Sequence, residues 1–459
     1  MPRRTGILLL ALLLAGCAAA GTPEPGLAPE AAAGTLAGPS RLLMALPEGS
    51  RLTTLRPVDP ATLADLAGFS PIRFNTCSPH AFAPDGQTLA FIRCSGAEQG
   101  AALHLVDVET WKEQAVSLGR SVERDWAGYL SFSADGSALY WIENIMSGQG
   151  VPPSYVLHRH SRTDYASGVL TKLPVGFVPH ALHLLPGGLR AAVFGQPVTA
   201  EHLPDGDSRV LLIRLSDGTI EAEIPLPGVV AGRWRTADGM ERYTQPGLAW
   251  DPARSLLYVV DGAPDRVTVV DLREGRLARR AELRSVSWLE RLGVVRVAAA
   301  KALPGTSVEA VLSPGGERLY VAAFREEVEG LHDTPAAPSV GRGTPLGLTV
   351  IDTGDLWEIG KLDLPVSNLA LAPGGSRLLL WGASWECETG CRREGHGVYV
   401  VDTAKLTRVA HVLPGNEATV LGFSPDGRYA YIGEDTGRGV HHRVLDLAKG
   451  RLGDGRAIS

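Results

Sequence analysis

One pattern recurs seven times along the chain and limits the possible folds more than any other feature. Each copy has alternating apolar residues, a turn built from Pro, Asp or Gly, and a second apolar run. Alternation with a period of two around a Gly-containing turn is typical of a β-hairpin. The chain is therefore predicted to fold as a series of hairpins. The copies are Ala81–Ile92, Leu130–Ile142, Leu182–Phe194, Leu248–Val260, Ala310–Ala322, Leu369–Trp381 and Leu421–Ile432.

A second pair of strands follows most of these hairpins. It has an apolar strand ending in Asp, a tight turn and another strand, as in Leu103–Val116, Val267–Arg280, Leu348–Lys361 and Val398–His411. A four-stranded unit of this size cannot bury both of its faces alone, so neighbouring units must stack. The pattern predicts an all-β fold, a seven-bladed β-propeller of four-stranded antiparallel blades. Residues 51–63 resemble half a blade, so we expect N-terminal strands to complete the last blade and close the ring; eight blades is the alternative.

Some of these repeats are similar to a known group. The stretch Leu257–Leu277 and the turns Ser313–Gly316 (SPGG) and Ser424–Gly427 (SPDG) resemble YVTN-type bacterial β-propeller repeats. That group belongs with WD-repeat-like (WD40-like), lactonase-like and quinoprotein-dehydrogenase-like propellers. The resemblance covers most of residues 77–447 and implies the fold. It implies little about chemistry, because the repeated residues form turns and fill the space between blades.

Long insertions are predicted to gather on one face of the propeller. In a four-stranded meander, the second turn and the exit to the next blade lie at the same end. The insertions occupy second turns at 143–153, 196–207, 325–345 and 383–396, and exits at 228–246 and 284–307. Within the last of these, the pattern Ser287–Glu290 predicts the start of an amphipathic helix. Function in scaffold folds concentrates on such loops, so we expect this loop-rich face to bind ligands.

The first seventeen residues follow the arrangement of a secretion signal. Arg3 and Arg4 precede the apolar run Ile7–Leu14, which is too short for a permanent membrane helix. Leu14–Cys17 resembles the bacterial lipoprotein processing box, which implies cleavage before Cys17 and acylation of that residue. A plain secretory signal with a chance cysteine is the alternative. The predicted organisation is a signal peptide at 1–16, a flexible Ala/Gly/Pro-rich tether at 17–40 and a single propeller domain at 41–459.

Four further cysteines agree with export, because an even number outside the cytoplasm suggests disulfides. Cys77 and Cys94 are symmetric about the turn Asp85–Gly86, so a hairpin there would place them opposite each other. Cys387 and Cys391 flank a three-residue segment of hairpin-loop length. A metal site formed by Cys387, Cys391 and His396 is the competing hypothesis, although a fourth ligand is not apparent.

Charge and motif content exclude several functions. The formal net charge is −6 and the sequence has no run of Lys and Arg, so nucleic-acid binding is not expected. The sequence lacks a nucleophile elbow, a zinc-protease motif, a phosphate-binding loop and a haem-attachment motif. We therefore predict no catalytic, cofactor-binding or metal-binding residues.

A few residues remain candidates for binding. His180 starts an inner strand, and Glu309 and Asn368 stand at matching positions of adjacent blades, five residues before the turn Pro. Lactonase-like propellers use inner-strand carboxylates and amides around a channel ion, so the resemblance implies a hydrolytic role for this pair; a hydrated structural channel is the alternative. Aromatic and Arg residues of the kind that anchor partners occur in the predicted loops. They are Trp126, Trp234, Arg242, Tyr243 and Trp385.

Together these features predict an extracytoplasmic, membrane-anchored bacterial lipoprotein. It would act as a monomeric, non-catalytic scaffold that binds an envelope protein or small ligand through its loop-rich face, with the lipid anchor as its sole contact with the membrane. The main alternative is a lactonase-like hydrolase that uses the channel mouth. A redox-partner docking subunit is a weaker alternative, because no cofactor ligands support it.

Overall fold

The computed structural model describes fifteen segments of the chain, and every regular element in them is a β-strand. No helix in these segments is long and apolar enough to cross a membrane. The segments are 42–48, 52–59, 63–75, 80–93, 102–118, 127–148, 150–235, 241–262, 266–283, 305–329, 340–387, 391–424, 426–437, 440–453 and 456–458. The signal peptide, the tether, Cys17, Cys77, Cys94, Trp126 and the helix predicted from residue 287 lie outside them.

The N-terminal strands form a three-stranded sheet of their own, in the order β1-β2-β3. Its strands are β1 (Leu42–Glu48), β2 (Leu52–Val58) and β3 (Ile72–Asn75). Four antiparallel four-stranded units also stand as separate sheets. Unit 1 comprises β4 (His80–Phe82), β5 (Thr88–Arg93), β6 (Ala102–Asp107) and β7 (Glu113–Ser117). Unit 2 comprises β8 (Ala127–Phe132), β9 (Ala138–Gly148), β10 (Val151–Ser161) and β11 (Ser167–Lys172). Unit 3 comprises β12 (Phe177–Leu184), β13 (Arg190–Pro197), β14 (Arg209–Arg214) and β15 (Ile220–Pro225).

The chain then forms a short hairpin of β16 (Gly232–Arg235) and β17 (Glu241–Gln245) before the next unit. Unit 4 comprises β18 (Gly247–Asp251), β19 (Leu256–Asp261), β20 (Arg266–Asp271) and β21 (Arg276–Glu282). Unit 5 comprises β22 (Gly305–Leu312), β23 (Arg318–Glu329), β24 (Val340–Asp352) and β25 (Glu358–Leu362). Unit 6 comprises β26 (Asn368–Leu371), β27 (Arg377–Cys387), β28 (Cys391–Asp402) and β29 (Thr407–Val412). Unit 7 comprises β30 (Glu417–Phe423), β31 (Tyr429–Asp435), β32 (Val440–Asp446), β33 (Arg451–Leu452) and β34 (Arg456–Ile458).

The predicted number of separate blades is wrong. Units 1, 2, 3, 4 and 7 are five separate sheets, not seven or eight. Units 5 and 6 are not separate, because β24 also pairs with β27 and the hairpin β16–β17 pairs with β22, which joins ten strands into one sheet. The hydrophobic pattern that predicts each meander does not encode these extra pairings, which involve residues of the insertions.

The repeated polar residues build the turns, as predicted. In the first turn of unit 7, Ser424 donates to the carboxylate of Asp426, which accepts the backbone N–H of Arg428 at 3.0 Å. After β20, Asp271 accepts the backbone N–H groups of Arg273 and Glu274, both at 2.9 Å. Short polar side chains that bond backbone groups two or three residues ahead favour a tight turn over continued strand. The repeated Asp residues therefore end strands rather than mark a catalytic site.

Buried apolar clusters lie between neighbouring sheets. One cluster joins units 2 and 3 through Leu157 and Val193, and another joins units 3 and 4 through Phe194 and Leu257. Equivalent clusters join units 1 with 2, 4 with 5, 5 with 6, and 6 with 7. Each strand face of a unit thus gains an apolar partner that it lacks alone, which is how propeller blades are stabilised.

The N-terminal sheet packs on both ends of this series. Leu55 and Ile72 belong to a cluster with Phe91 of unit 1. Val58 and Leu63 belong to a cluster with Leu421 and other residues of unit 7. The expectation that N-terminal strands complete the last blade is wrong, because unit 7 obtains its outer strand from β33 and β34. The alternation along β2 points Leu55 and Val58 to opposite faces, so the sheet needs an apolar neighbour on each side.

Candidate functional site

Five of the six insertions meet at one end of the units. Gly176, which precedes β12, donates its N–H to Pro153 O at 2.9 Å and accepts from the N–H of Val198 at 2.6 Å. These bonds bring the second turns of units 2 and 3 to the start of an inner strand. Residues Thr244–Gln245 of β17 pair in parallel with Thr306–Ser307 of β22. The sixth insertion lies mostly in 284–304, outside the described segments.

The insertions of units 5 and 6 are extended hairpins rather than irregular loops. Strands β23 and β24 continue their pairing out to Glu329 and Val340, and β27 and β28 continue to Cys387 and Cys391. The two hairpins pair with each other through Gly341–Gly343 and Trp385–Cys387. We call this connected set of insertions the collar. It comprises residues 232–235, 241–245, 305–307, 324–329, 340–345, 383–387 and 391–396.

Trp385 lies in the joint between the two long hairpins. A Cβ atom at Gly343 would collide with the indole of Trp385 and with the ring of Phe324. Only a glycine at position 343 therefore leaves room for these two rings. The indole of the partly buried Trp385 contacts the neighbouring strand, and its role as a partner anchor stays a prediction.

A disulfide between Cys387 and Cys391 closes the end of one collar hairpin, which confirms that predicted pair. The two residues are directly opposite in the ladder. His396, the third ligand of the competing metal hypothesis, bonds Ser384 through Nε2 at 3.1 Å, and its carbonyl oxygen lies 2.8 Å from His411 Nε2. Because both sulfurs are covalently linked, this set does not form the predicted alternative metal site.

The first strands of four pairs of successive units lie side by side, as the inner strands of a propeller do. Such contacts join β4 with β8, β8 with β12, β18 with β22, and β22 with β26. We call the surface formed by β4, β8, β12, β18, β22, β26 and β30 the axial wall. Within the bounds given above these strands contain no Lys or Arg, and they contain three His residues, His80, His180 and His183.

Two residues of the axial wall sit in β-bulges at the collar end. The ladder of β8 and β9 shifts between Gly128 and Ser131, and the ladder of β12 and β13 shifts between Pro179 and Ala181. Tyr129 lies in the first bulge and His180 is the extra residue of the second. Bulges re-aim side chains and are frequent next to functional sites. The similar bulge at Leu421 in unit 7 instead buries an apolar side chain against the N-terminal sheet.

Tyr129 fixes the backbone next to His180. Its φ is 59°, which is a left-handed conformation that costs free energy for a residue other than Gly. The hydroxyl donates to Pro179 O at 3.0 Å. Burial raises the pKa of Tyr129, and the nearby phenols of Tyr155 and Tyr243 raise it further. Tyr129 is therefore a neutral hydrogen-bonding group that orients the carbonyl before His180.

His180 is a largely buried imidazole that faces the hairpin β16–β17. Burial lowers the pKa of His180 to about 4, so the ring is neutral near pH 7. Its Nε2 atom has no hydrogen-bond partner among the described residues. A methyl group at Gly232 would lie 3.6 Å from Cε1 and 3.7 Å from Nε2 of this ring. The hairpin thus covers the imidazole and leaves room beside it for a small group.

His183 lies further along the same strand. Its ring stacks on Trp250 of unit 4, with ring centroids 6.0 Å apart. Burial lowers the pKa of His183 as well, and its Nε2 is likewise without a described partner. Two neutral imidazoles therefore line the axial wall between units 3 and 4.

Glu309 and Asn368 are both on the axial wall, but each already has a partner. The Leu369 N–H donates to Glu309 Oε2 at 3.0 Å, and Asn368 Nδ2 donates to Ser367 Oγ at 2.8 Å. Burial raises the pKa of Glu309, while the bond from Leu369 opposes that shift. In the described segments no three His, Cys, Asp or Glu residues come together in a metal-binding arrangement. Glu309 thus links β22 of unit 5 to β26 of unit 6, whereas Asn368 bonds the residue that precedes it.

The other predicted residues belong to the hairpin β16–β17. Trp234 and Arg242 are directly opposite each other in its ladder. Tyr243 is 49% exposed and is close enough to Tyr129 to affect its pKa. The sequence prediction missed Tyr129 and His183. Tyr129 could have been found, because it stands five residues before the turn position 134, as Glu309 and Asn368 do before theirs.

Comparisons with known proteins support the fold. No family model matches the sequence, and no curated protein matches it. The dihydro-heme d1 dehydrogenase NirN in complex with DHE is similar with a TM-score of 0.54 and 16% identity, over 92% of this chain and 74% of that chain.

The chain is a β-propeller. Two other solved structures are similar at lower scores. The periplasmic gluconolactonase PpgL of Pseudomonas aeruginosa has a TM-score of 0.44 and 14% identity, over 91% of this chain and 94% of that chain. A putative 6-phosphogluconolactonase from Bacteroides uniformis has a TM-score of 0.39 and 12% identity, over 81% and 97%. At such identities the likeness concerns the fold alone, and membership of the YVTN-type repeat group stays a prediction.

Proposed function

We propose that this propeller is a non-catalytic scaffold that binds an envelope protein through the collar. The observation that carries the proposal is the pairing of two long hairpins from adjacent units into one sheet, on the side where the insertions meet. A sheet fixed by backbone hydrogen bonds presents its exposed side chains in a defined arrangement, which lowers the entropic cost of binding. Those side chains include Arg392, Arg393 and Glu394.

The proposal includes the remaining sequence predictions. The seven units form one ring that the N-terminal sheet closes, in keeping with the apolar clusters on both of its faces. The chain is a monomeric bacterial lipoprotein outside the cytoplasm, anchored through Cys17, and its tether holds the folded part off the membrane. A Cys17→Ser variant then leaves the membrane fraction on cell fractionation, whereas retention at the wild-type level contradicts lipid anchoring.

Partner capture by the full chain tests the collar. A partner identified from solubilised membranes is titrated against wild type, the double variant Arg392→Ala/Glu394→Ala and the control Leu189→Ala. Leu189 is exposed in a short first turn, at the opposite end of its unit from the collar. We expect the collar variant to bind about tenfold more weakly, as central interface residues do, and the control to bind normally. Equal binding by the wild type, the collar variant and the control contradicts the proposal.

A turnover assay tests the lactonase-like alternative. Glu309 is a buried carboxyl with a raised pKa on the axial wall, as an acid–base group would be. If purified protein hydrolyses a sugar lactone and Glu309→Ala/Asn368→Ala abolishes turnover while keeping the fold, the hydrolase is supported. Wild-type protein without turnover leaves the scaffold proposal intact.

A further inference from the structure

The axial wall contains a feature that the collar does not explain. His180 Nε2 and His183 Nε2 are buried and have no partner among the described residues. A buried polar atom without a hydrogen bond costs about 1–3 kcal/mol, so native structures rarely keep one without a ligand or bound water. Two such atoms on one strand, three residues apart, are thus available to bind a ligand or water.

The surroundings of His180 are organised as a binding site. A bulge turns the residue out of the regular ladder, and Tyr129 holds the preceding carbonyl at 3.0 Å despite a left-handed backbone. The hairpin β16–β17 approaches the ring through Gly232, whose φ of 91° is unfavourable for other residues. A side chain at that position would occupy the space beside Nε2. Tyr243 of the same hairpin adds an aromatic ring that is about half exposed.

We propose that the axial wall and the hairpin β16–β17 form a small-molecule site between them, and that its ligand is an uncharged ring compound with an amide or hydroxyl group bound to His180 Nε2. A neutral imidazole nitrogen either donates or accepts one hydrogen bond, which suits such groups. The site lies between the axial wall and one hairpin of the collar, and it does not depend on the protein partner proposed for the collar.

The charge distribution favours an uncharged ligand over an anion or a cation. The axial wall has no Lys or Arg within its described strands. Of its three carboxyl groups, Asp251 and Glu417 are paired with Arg254 and Arg393, and Glu309 accepts the N–H of Leu369. Strands β16 and β17 contain three arginines, Arg233, Arg235 and Arg242, and one acidic residue, Glu241. A buried charge without a close opposite charge is strongly disfavoured. Binding of an anion by those arginines is therefore an outcome that the test must detect.

Three nearly isosteric probes separate these outcomes. Benzamide is neutral, benzoate is anionic and benzamidine is cationic near pH 7. Their affinities for the full chain are measured by ligand-observed NMR titration. We expect benzamide to bind about tenfold more tightly than either charged probe. Equal or tighter binding of benzoate, or no detectable binding of benzamide, overturns the proposal.

Variants show whether the binding involves His180. His180→Ala is expected to weaken benzamide binding about tenfold, and His180→Gln to retain it within about threefold, because a carboxamide also donates and accepts hydrogen bonds. Tyr243→Ala is also expected to weaken benzamide binding. The variant should fold normally, because this side chain is half exposed. Glu201→Gln changes an exposed residue of the same face and serves as the control. If Tyr243→Ala binds benzamide like the control, or His180→Ala does so while folded, the proposal is wrong.

Discussion

At the scale of the residue, Tyr129 and His180 are positions where the backbone departs from regular strand geometry, at a cost in conformational free energy. Both leave the regular ladder at the collar end of the axial wall, and one of them takes a left-handed backbone. The sequence predicted His180 because it follows Pro179 at the start of an inner strand. It could not predict the bulges, because a one-residue shift of register depends on how the neighbouring unit packs.

The Tyr129 hydroxyl should stabilise the junction of units 2 and 3. Tyr129→Phe removes the bond to Pro179 O and leaves a buried carbonyl with one partner fewer. We expect the free energy of unfolding to fall by about 1 kcal/mol, as measured by urea denaturation. Tyr165→Phe alters an exposed phenol and should have no effect. An equal change in both variants would contradict the role of this bond.

The stability of the protein should fall with acid through His180. Its folded pKa of about 4 lies below the ordinary value of 6.5. Below pH 6.5 the unfolded chain binds a proton that the folded ring does not, so stability is full above that pH and is lost progressively down to about pH 4. The loss is up to about 3 kcal/mol, and His180→Gln should remove it. His183 contributes in the same direction. Identical losses in wild type and His180→Gln between pH 7.5 and 4.5 would contradict this prediction.

At the scale of the element, several insertions that the sequence predicted as loops form strands in the structure. The sequence located them correctly at the second turns and exits, because the hydrophobic repeat is interrupted there. It did not show their structure, since segments such as 325–345 have no alternation of apolar and polar residues. Their pairing depends on contacts between adjacent units, which local patterns do not encode.

Gly343 should be essential for the collar joint. Gly343→Val places side-chain atoms where Trp385 and Phe324 lie, and such overpacking costs about 1–3 kcal/mol. We expect faster amide hydrogen exchange in Gly341–Gly343 and Trp385–Cys387, measured by mass spectrometry. Gly168→Ala adds a methyl group on strand β11 with no atom within 4 Å and is the control. Unchanged exchange in the Gly343 variant would mean that the hairpins do not pair.

At the scale of the whole molecule, the repeat was sufficient to predict an all-β propeller. It was not sufficient to predict the blade count, because two units merge through their insertions and the N-terminal strands form a sheet instead of completing unit 7. Residues 51–63 resemble half a blade in sequence, but that resemblance does not show that β1 and β3 join β2 in a separate sheet. Its role is apparent only from the apolar clusters on its two faces.

A double-mutant cycle between Val58 and Leu421 tests most directly whether the N-terminal sheet joins the two ends of the propeller. The residues are far apart in sequence but belong to one buried cluster. We predict that the changes in the free energy of unfolding caused by Val58→Ala and Leu421→Ala are non-additive by at least about 0.5 kcal/mol. Leu55 faces unit 1, so the pair Leu55→Ala and Leu421→Ala should be additive. Additivity within about 0.3 kcal/mol for Val58 and Leu421 would contradict ring closure by this sheet.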